Sequence, residues 1–168
     1  RAYTHFAQNY IFYRLSDVML MKAEAMTQLA ADDNDVQLRQ AFNIVQYVNS
    51  RSLYSGSLSS DSLKWSYYNS KAGMESLVLN ERLRELSFEG KRWYDLVRKS
   101  RRDGKTSFLV NKVQQKGSDN AGVVQSKLAK MDALYWPYNS EEIKVNGNLV
   151  QNPVYGSGSD DSSYSTTK

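Results

Sequence analysis

Glu81, Glu85 and Glu89 stand four residues apart in a chain rich in Arg. Paired carboxylates are the machinery of glycoside hydrolysis, but that chemistry needs two acids facing each other across a sugar, about 5 to 9.5 Å apart. Acids stacked along one helix face do not embrace a substrate. Arg82 and Arg84 lie within reach of them or of their neighbours, so the spacing predicts a structural charge network. Arg14 with Asp17, and Asp95 with Arg98, are each one turn apart and predict either local ion pairs or polar clamps between helices. Lys99, Arg101, Arg102 and Lys105 form a basic run at a helix end, where cations complement the dipole. A nucleic-acid interface wants aromatic residues interleaved on the same face or a recognition helix, and neither is evident, so no nucleic-acid partner is expected.

Aromatic side chains offer a different chemistry. Trp65, Tyr67 and Tyr68 cluster in a polar, Ser-rich segment without a periodic apolar pattern. Ring faces stack on the C–H face of a sugar, and their OH and NH edges form hydrogen bonds. These three are the candidate ligand-binding residues, set against the simpler reading that they pin a loop to the helices. Trp93 and Trp136 read as core, the second because it adjoins Pro137 in an apolar stretch.

The whole chain sets the limits. Its 168 residues make one domain or part of one, with a formal charge of +4, 24% charged and 40% hydrophobic residues. There is no Cys, which excludes disulfides, thiol nucleophiles and thiolate metal sites, and His5 is the only histidine. No apolar run reaches the ~20 residues of a membrane helix. No phosphate-binding Gly-Lys loop or dinucleotide fingerprint is present, so no cofactor and no metal are expected.

The elements that must position these groups are helical. Residues 12–31 read as a helix, with Leu15, Val18, Met19, Met26 and Leu29 near helical spacing and several Ala between them. Asp32 to Asp35 breaks it, and Asp35 is placed to cap a second helix from about Val36 to Ser50, whose apolar face is Ala41, Ile44, Val45 and Val48. Two such helices joined by a short turn form an antiparallel pair of tetratricopeptide type, with Ala23, Ala25 and Ala41 allowing close approach. Residues 52–73 read as irregular. A third helix is expected over about Glu75 to Glu89, interrupted or kinked at Gly90, and continued from Lys91 to about Ser100. Gly104 marks a chain reversal. Residues 101–130 read mostly as loop, Tyr135-Trp136-Pro137 as extended, and Ser140 as the cap of a short helix over Glu141 to Lys144. Gly156 to Lys168 is a Gly/Ser/Asp-rich segment read as a flexible tail. The chain starts abruptly inside a helical pattern, which suggests a piece of a longer protein. A single helix pair without stacking neighbours predicts marginal stability for the bare chain.

Three segments then carry a resemblance. They are Tyr13-Arg14-Leu15-Ser16-Asp17 leading to Ala23-Glu24-Ala25; Glu81-Arg82-Leu83-Arg84-Glu85-Leu86-Ser87-Phe88-Glu89-Gly90-Lys91-Arg92-Trp93-Tyr94-Asp95-Leu96-Val97-Arg98; and Trp136-Pro137, Glu141-Glu142-Ile143, then Gln151-Asn152-Pro153-Val154-Tyr155. In order and spacing these resemble the C-terminal region of the SusD/RagB family of nutrient-binding outer-membrane lipoproteins of Bacteroidetes-type bacteria, over residues 1–155. Tyr138-Asn139, Val154 and Ser87 depart from the family's usual residues.

The resemblance implies an all-α fold, a tetratricopeptide-like pair with irregular helices and long loops. It implies a non-catalytic role at the cell surface, in the outer membrane, held there by an N-terminal lipid that this chain does not contain. The implied partners are a glycan ligand, or in some members a peptide, and a TonB-dependent transporter of the SusC type. None of the three motifs is itself a ligand motif. The competing readings are a tetratricopeptide-type adaptor binding protein tails and a glycan-cleaving enzyme.

Overall fold

Arg14 holds an extended backbone and releases the chain into α1, Leu15–Leu29. The structure, a computed structural model, describes residues 11–54, 62–117 and 120–155. His5 and the segment 156–168 lie outside the described residues, as does the middle of the Ser-rich stretch. The described chain divides into two units, Arg1–Arg92 and Trp93–Lys168.

In the first unit α1 turns a mixed face inward. Leu20, Ala23 and Ala30 are buried together with Ser16, Asp17, Glu24 and Thr27. The Thr27 hydroxyl donates to the Ala23 carbonyl at 2.8 Å, so its burial leaves no lost partner. Leu15, Val18 and Leu29, read from their spacing as part of the apolar face, are exposed instead. Small residues do allow close approach at Ala23 and Ala41, both fully buried, whereas Ala25 faces outward.

The turn after α1 is held by side chains. Asn34 adopts a positive φ of 66°, a conformation that Asn tolerates better than most residues. The Asp35 carboxylate accepts from the Gln37 amide at 2.7 Å and the Ala31 amide at 3.0 Å. Those two bonds hold its carboxyl below the ordinary value and begin α2, Val36–Arg51, at the cap the sequence predicts. α2 buries Leu38, Ala41, Phe42, Val45 and Val48, each large side chain contributing roughly 1.5–3 kcal/mol over exposure. The helix α3 spans Lys71–Glu85, starting a turn earlier than expected. Ser70 caps it by accepting from the Gly73 amide, and α3 buries Met74, Leu77 and Val78 in the same core. The Lys71 ammonium donates to the carbonyls of Gln28 and Ala30 at 2.8 and 2.9 Å, closing the C-terminal end of α1.

Charge ties α1 to α3. Arg82 and Asp17 form an ion pair at 2.9 Å with side chains 3% and 2% exposed. Lys91 approaches the other Asp17 oxygen at 3.5 Å. Arg14 contacts Glu85 at 2.6 Å and Glu89 at 2.8 Å, and Arg51 from α2 also donates to Glu85. Glu81 is bound by Arg84 and by Asn49, the latter at 3.2 Å. The three glutamates are therefore a structural network, and Arg14 and Asp17 are clamps between helices.

Gly90 does not kink one long helix. α3 stops at Glu85, and α4 begins at Arg92. The intervening turn contains two residues with positive φ, Phe88 at 66° and Gly90 at 71°. Such a backbone ends a helix, so the break is complete.

The second unit holds α4, Arg92–Asp103; α5, Ser107–Gln114; α6, Ala121–Leu128; and α7, Ser140–Val145, with short 3-10 turns at Met131–Leu134 and Pro153–Tyr155. Its core is Leu96, Leu109 and Leu134, edged by Trp93, Val97, Phe108, Val113, Leu128 and Met131. Trp93, read as core, is half-buried and packs against the edge of that core. The loop expected over 101–130 is corrected to two eight-residue helices. Half of each helix is apolar, but eight residues are barely two turns, too short for a helical period to stand out, and α5 is fixed by Leu109 meeting Leu96 and Leu134. Gly104 ends α4 in a turn at φ 65°. The cap of α7 is Asn139, whose side chain accepts from the Glu141 amide at 3.0 Å, and Ser140 is already helical. Among the described residues the chain is all-α, with no strand, and no helix is long and apolar enough to cross a membrane.

Two consequences are measurable. Arg82→Met leaves the buried Asp17 carboxylate without its closest cation and is expected to destabilise the first unit by about 3–5 kcal/mol. Adding Asp17→Leu to it should recover part of that loss, both read by urea unfolding followed by far-UV circular dichroism. At Glu85, burial pushes the carboxyl up, but hydrogen bonds from Arg14, Arg51 and Ser16 outweigh it and hold the group below its ordinary value. A carboxyl lowered on folding adds stability that is complete above its unfolded value and lost as pH falls through the lower folded one. Glu85→Gln should therefore flatten the fall of the melting temperature between about pH 5 and 3. An unchanged acid limb would show that the pair contributes nothing to it.

Candidate functional site

The structure separates the three candidate ligand residues. Trp65–Tyr67 is a 3-10 turn leading into α3. Trp65 is half-buried, with its ring at 75° to Phe42 and 5.5 Å from it. The Arg39 guanidinium lies over the Trp65 ring at 4.9 Å, a cation–π contact. Tyr68 is half-buried and stacks on Phe42 with centroids 6.4 Å apart. Both rings edge the α1–α2–α3 core. Tyr67 alone of the three stands out, 71% exposed.

Gly73 explains why the turn sits so close to α3. A Cβ there would meet the Ser70 hydroxyl at 2.9 Å and the Tyr67 carbonyl at 3.3 Å. The segment is therefore a rigid ledge: two rings anchored inward on Phe42 and a third directed to solvent. The Arg39 guanidinium that α2 brings to it is engaged with the Trp65 ring.

The second unit carries an aromatic group that the sequence reading placed elsewhere. Trp136, read as core, is 83% exposed, and Tyr135, Tyr138 and Tyr155 are exposed with it. The strand-like backbone of Tyr135, φ −111° and ψ 148°, agrees with the extended Tyr-Trp-Pro segment, but extension carries the indole outward rather than into the Leu96 core. What holds this segment is a pair of side-chain amides. Gln151 donates from Nε2 to the Tyr138 carbonyl and accepts the Tyr138 amide at Oε1, both at 3.0 Å. Asn152 donates from Nδ2 to the carbonyls of Asp132 at 2.7 Å and Tyr135 at 3.2 Å, while its Oδ1 accepts the Val154 amide at 3.0 Å. The Gln-Asn-Pro ending is thus a clamp on the Trp136-Pro137 loop. Nothing in local spacing reveals it, because the clamp and its target stand 13 and 17 residues apart. The available signal was the uncharged, non-periodic character of residues around Trp136.

The remaining charged candidates are structural. Arg98 pairs with the buried Asp95 at 2.9 Å, and Lys99 with Asp103 at 2.8 Å. The basic run ends α4 as the helix dipole favours. Among the described residues no group of three or more His, Asp or Glu side chains is placed to hold a metal ion.

With this geometry in view, comparison with known proteins identifies the class. The sequence model of the SusD family matches residues 2–155. The chain belongs to the SusD/RagB family, generally one of non-catalytic binding proteins. It is 30% identical over 147 residues to "SusD-like protein P38" of Formosa agariphila, an alignment that covers 88% of this chain and 25% of that protein. The chain therefore spans about a quarter of the length of that curated relative. No solved structure matches it significantly.

The amide clamp makes a direct prediction. Asn152→Ala removes two donors to exposed carbonyls and the acceptor of the part-buried Val154 amide, which should cost the second unit about 0.5–1.5 kcal/mol. Hydrogen exchange would show this as faster exchange at Val154 and in the neighbouring 3-10 turn, with the first unit unchanged. Equal exchange in both forms would mean that water replaces the clamp without loss.

Proposed function

We propose that this protein is a non-catalytic glycan-binding component of nutrient uptake at the cell surface. In this reading the polypeptide that carries it is an outer-membrane lipoprotein, anchored by an N-terminal lipid, and works with a TonB-dependent transporter of the SusC type that receives the bound oligosaccharide. The observation that carries the reading is the family match across residues 2–155.

The chemistry of the chain supports it. The acids whose number first suggests hydrolysis, Glu81, Glu85 and Glu89, lie along one helix and turn and are engaged by Arg84, Arg14 and Arg51. Capture without bond breaking needs preorganised aromatic surface with polar edges rather than poised acids and bases. Trp65, Tyr67 and Tyr68 are proposed to contribute to that surface, with Tyr67 as the ring that meets ligand and Trp65 and Tyr68 as its support. The family match favours this role over that of an adaptor for protein tails.

The test is binding and turnover on the intact protein. Titration calorimetry with neutral hexasaccharides (malto-, cello-, laminari-, manno- and xylohexaose) should show saturable binding of at least one, and incubation should release no new reducing ends. A tagged protein should retain a SusC-like barrel when purified from outer membranes. Absence of binding across these glycans, or production of reducing ends, would overturn the reading.

A further inference from the structure

Residues 135–139 and 146–155 contain no charged side chain, in a chain where 24% of residues are charged. They carry instead Tyr135, Trp136, Tyr138 and Tyr155 among Asn and Gln. On α7, between the two stretches, Lys144 is bonded to Glu141 at 2.7 Å.

Trp136 is 83% exposed and Tyr138 51% exposed. Their backbone is pinned on both sides of the indole: Tyr135 by Asn152, and Tyr138 by both polar atoms of the Gln151 amide. A segment already held in place loses little freedom when something binds it. Large apolar rings left in water on pinned backbone mark an interaction site.

The chemistry around the rings selects the occupant. An anionic ligand would call for cations within these stretches, and they hold none. The tyrosine phenols both donate and accept, which suits a molecule covered in hydroxyl groups, while the Gln151 and Asn152 amides are engaged with the backbone. A pyranose ring offers both needed surfaces, an apolar C–H face for the indole and hydroxyls for the phenols.

We propose that Trp136, with Tyr138 two residues on, is a stacking platform for a neutral pyranose ring. It is a carbohydrate subsite in the second unit. The Gln151 and Asn152 amides are its positioning residues. This inference rests on the glycan-capture reading above and adds a location to it.

The test uses the intact protein, the five neutral hexasaccharides named above, and the variants Trp136→Ala and Trp136→Phe. Trp136→Ala is expected to lower affinity for the bound hexasaccharide by about ten-fold or more, with unchanged circular dichroism. Trp136→Phe keeps an aromatic face and should stay within about three-fold of wild type. N-bromosuccinimide should oxidise Trp136 in the free protein, and saturating hexasaccharide should protect it, as read by peptide mass spectrometry. Wild-type affinity in Trp136→Ala overturns the platform and leaves glycan capture standing. An unreactive Trp136 in the free protein also overturns it, since another part of the polypeptide or a partner then covers the ring. No binding by the wild type removes both proposals together.

Discussion

The buried pair of Arg82 and Asp17 is the constraint from which the first unit follows. Both side chains are almost fully withdrawn from water, and the Arg82 guanidinium reaches the Asp17 carboxylate at 2.9 Å. Desolvating two charges costs several kcal/mol per ion, and their attraction repays that only in good geometry with further partners. Asp17 has a second cation in Lys91 at 3.5 Å. Lys91 also donates to the Phe12 carbonyl and lies 4.4 Å from the Tyr13 ring centroid. A buried pair of this kind adds little net stability over an apolar pair of the same volume. What it supplies is register: α1 and α3 can slide or rotate against each other only by breaking it. The Arg14 contacts with Glu85 and Glu89, nearer the surface, repeat the same instruction one turn away.

That electrostatic register explains the odd face of α1. A helix held only by apolar contacts would turn Leu15, Val18 and Leu29 inward. Here Ser16, Asp17, Glu24 and Thr27 are buried and those three are left in solvent. Hydrophobic spacing alone assigned the stripe to the core because it weighs apolar residues and ignores a carboxylate with a cation waiting on another helix. The partner, Arg82, lies 65 residues downstream. Long-range pairing of this sort leaves no trace in local periodicity, although both residues fall within motifs by which the family is recognised.

Other features were legible because their causes are local. The Asp35 cap, the boundaries of α2 and the turn at Gly104 depend on neighbours within a few positions, whereas the three glutamates draw most of their partners, Arg14, Arg51 and Asn49, from distant segments. α5 and α6 were hidden for the opposite reason. Eight-residue helices are marginal on propensity, and α5 is stabilised by contact with Leu96 and Leu134 rather than by its own sequence. The candidate site divides along the same line. The anchoring of Trp65 and Tyr68 on Phe42 was foreshadowed as the simpler alternative to ligand contact. The outward Trp136 was not, since an aromatic next to Pro reads equally well as core or surface until the residues that bond its backbone are known.

The two aromatic ledges solve one physical problem in different ways. An exposed ring is useful for recognition only if its direction is fixed, because a mobile ring loses on ordering what it gains on contact. Below Tyr67, fixation comes from apolar mass: Phe42 receives two rings, and Gly73 lets the turn close on α3. Around Trp136 there is no such mass, and the work passes to hydrogen bonds. Gln151 and Asn152 act as substitute backbone, satisfying carbonyls and amides of a segment that lies outside the α-helices. Apolar anchoring tolerates a change of side-chain shape as long as volume is kept. An amide clamp does not, because each donor meets a particular carbonyl. Gln-Asn in the closing segment is therefore more tightly specified by geometry than the aromatic residues it supports.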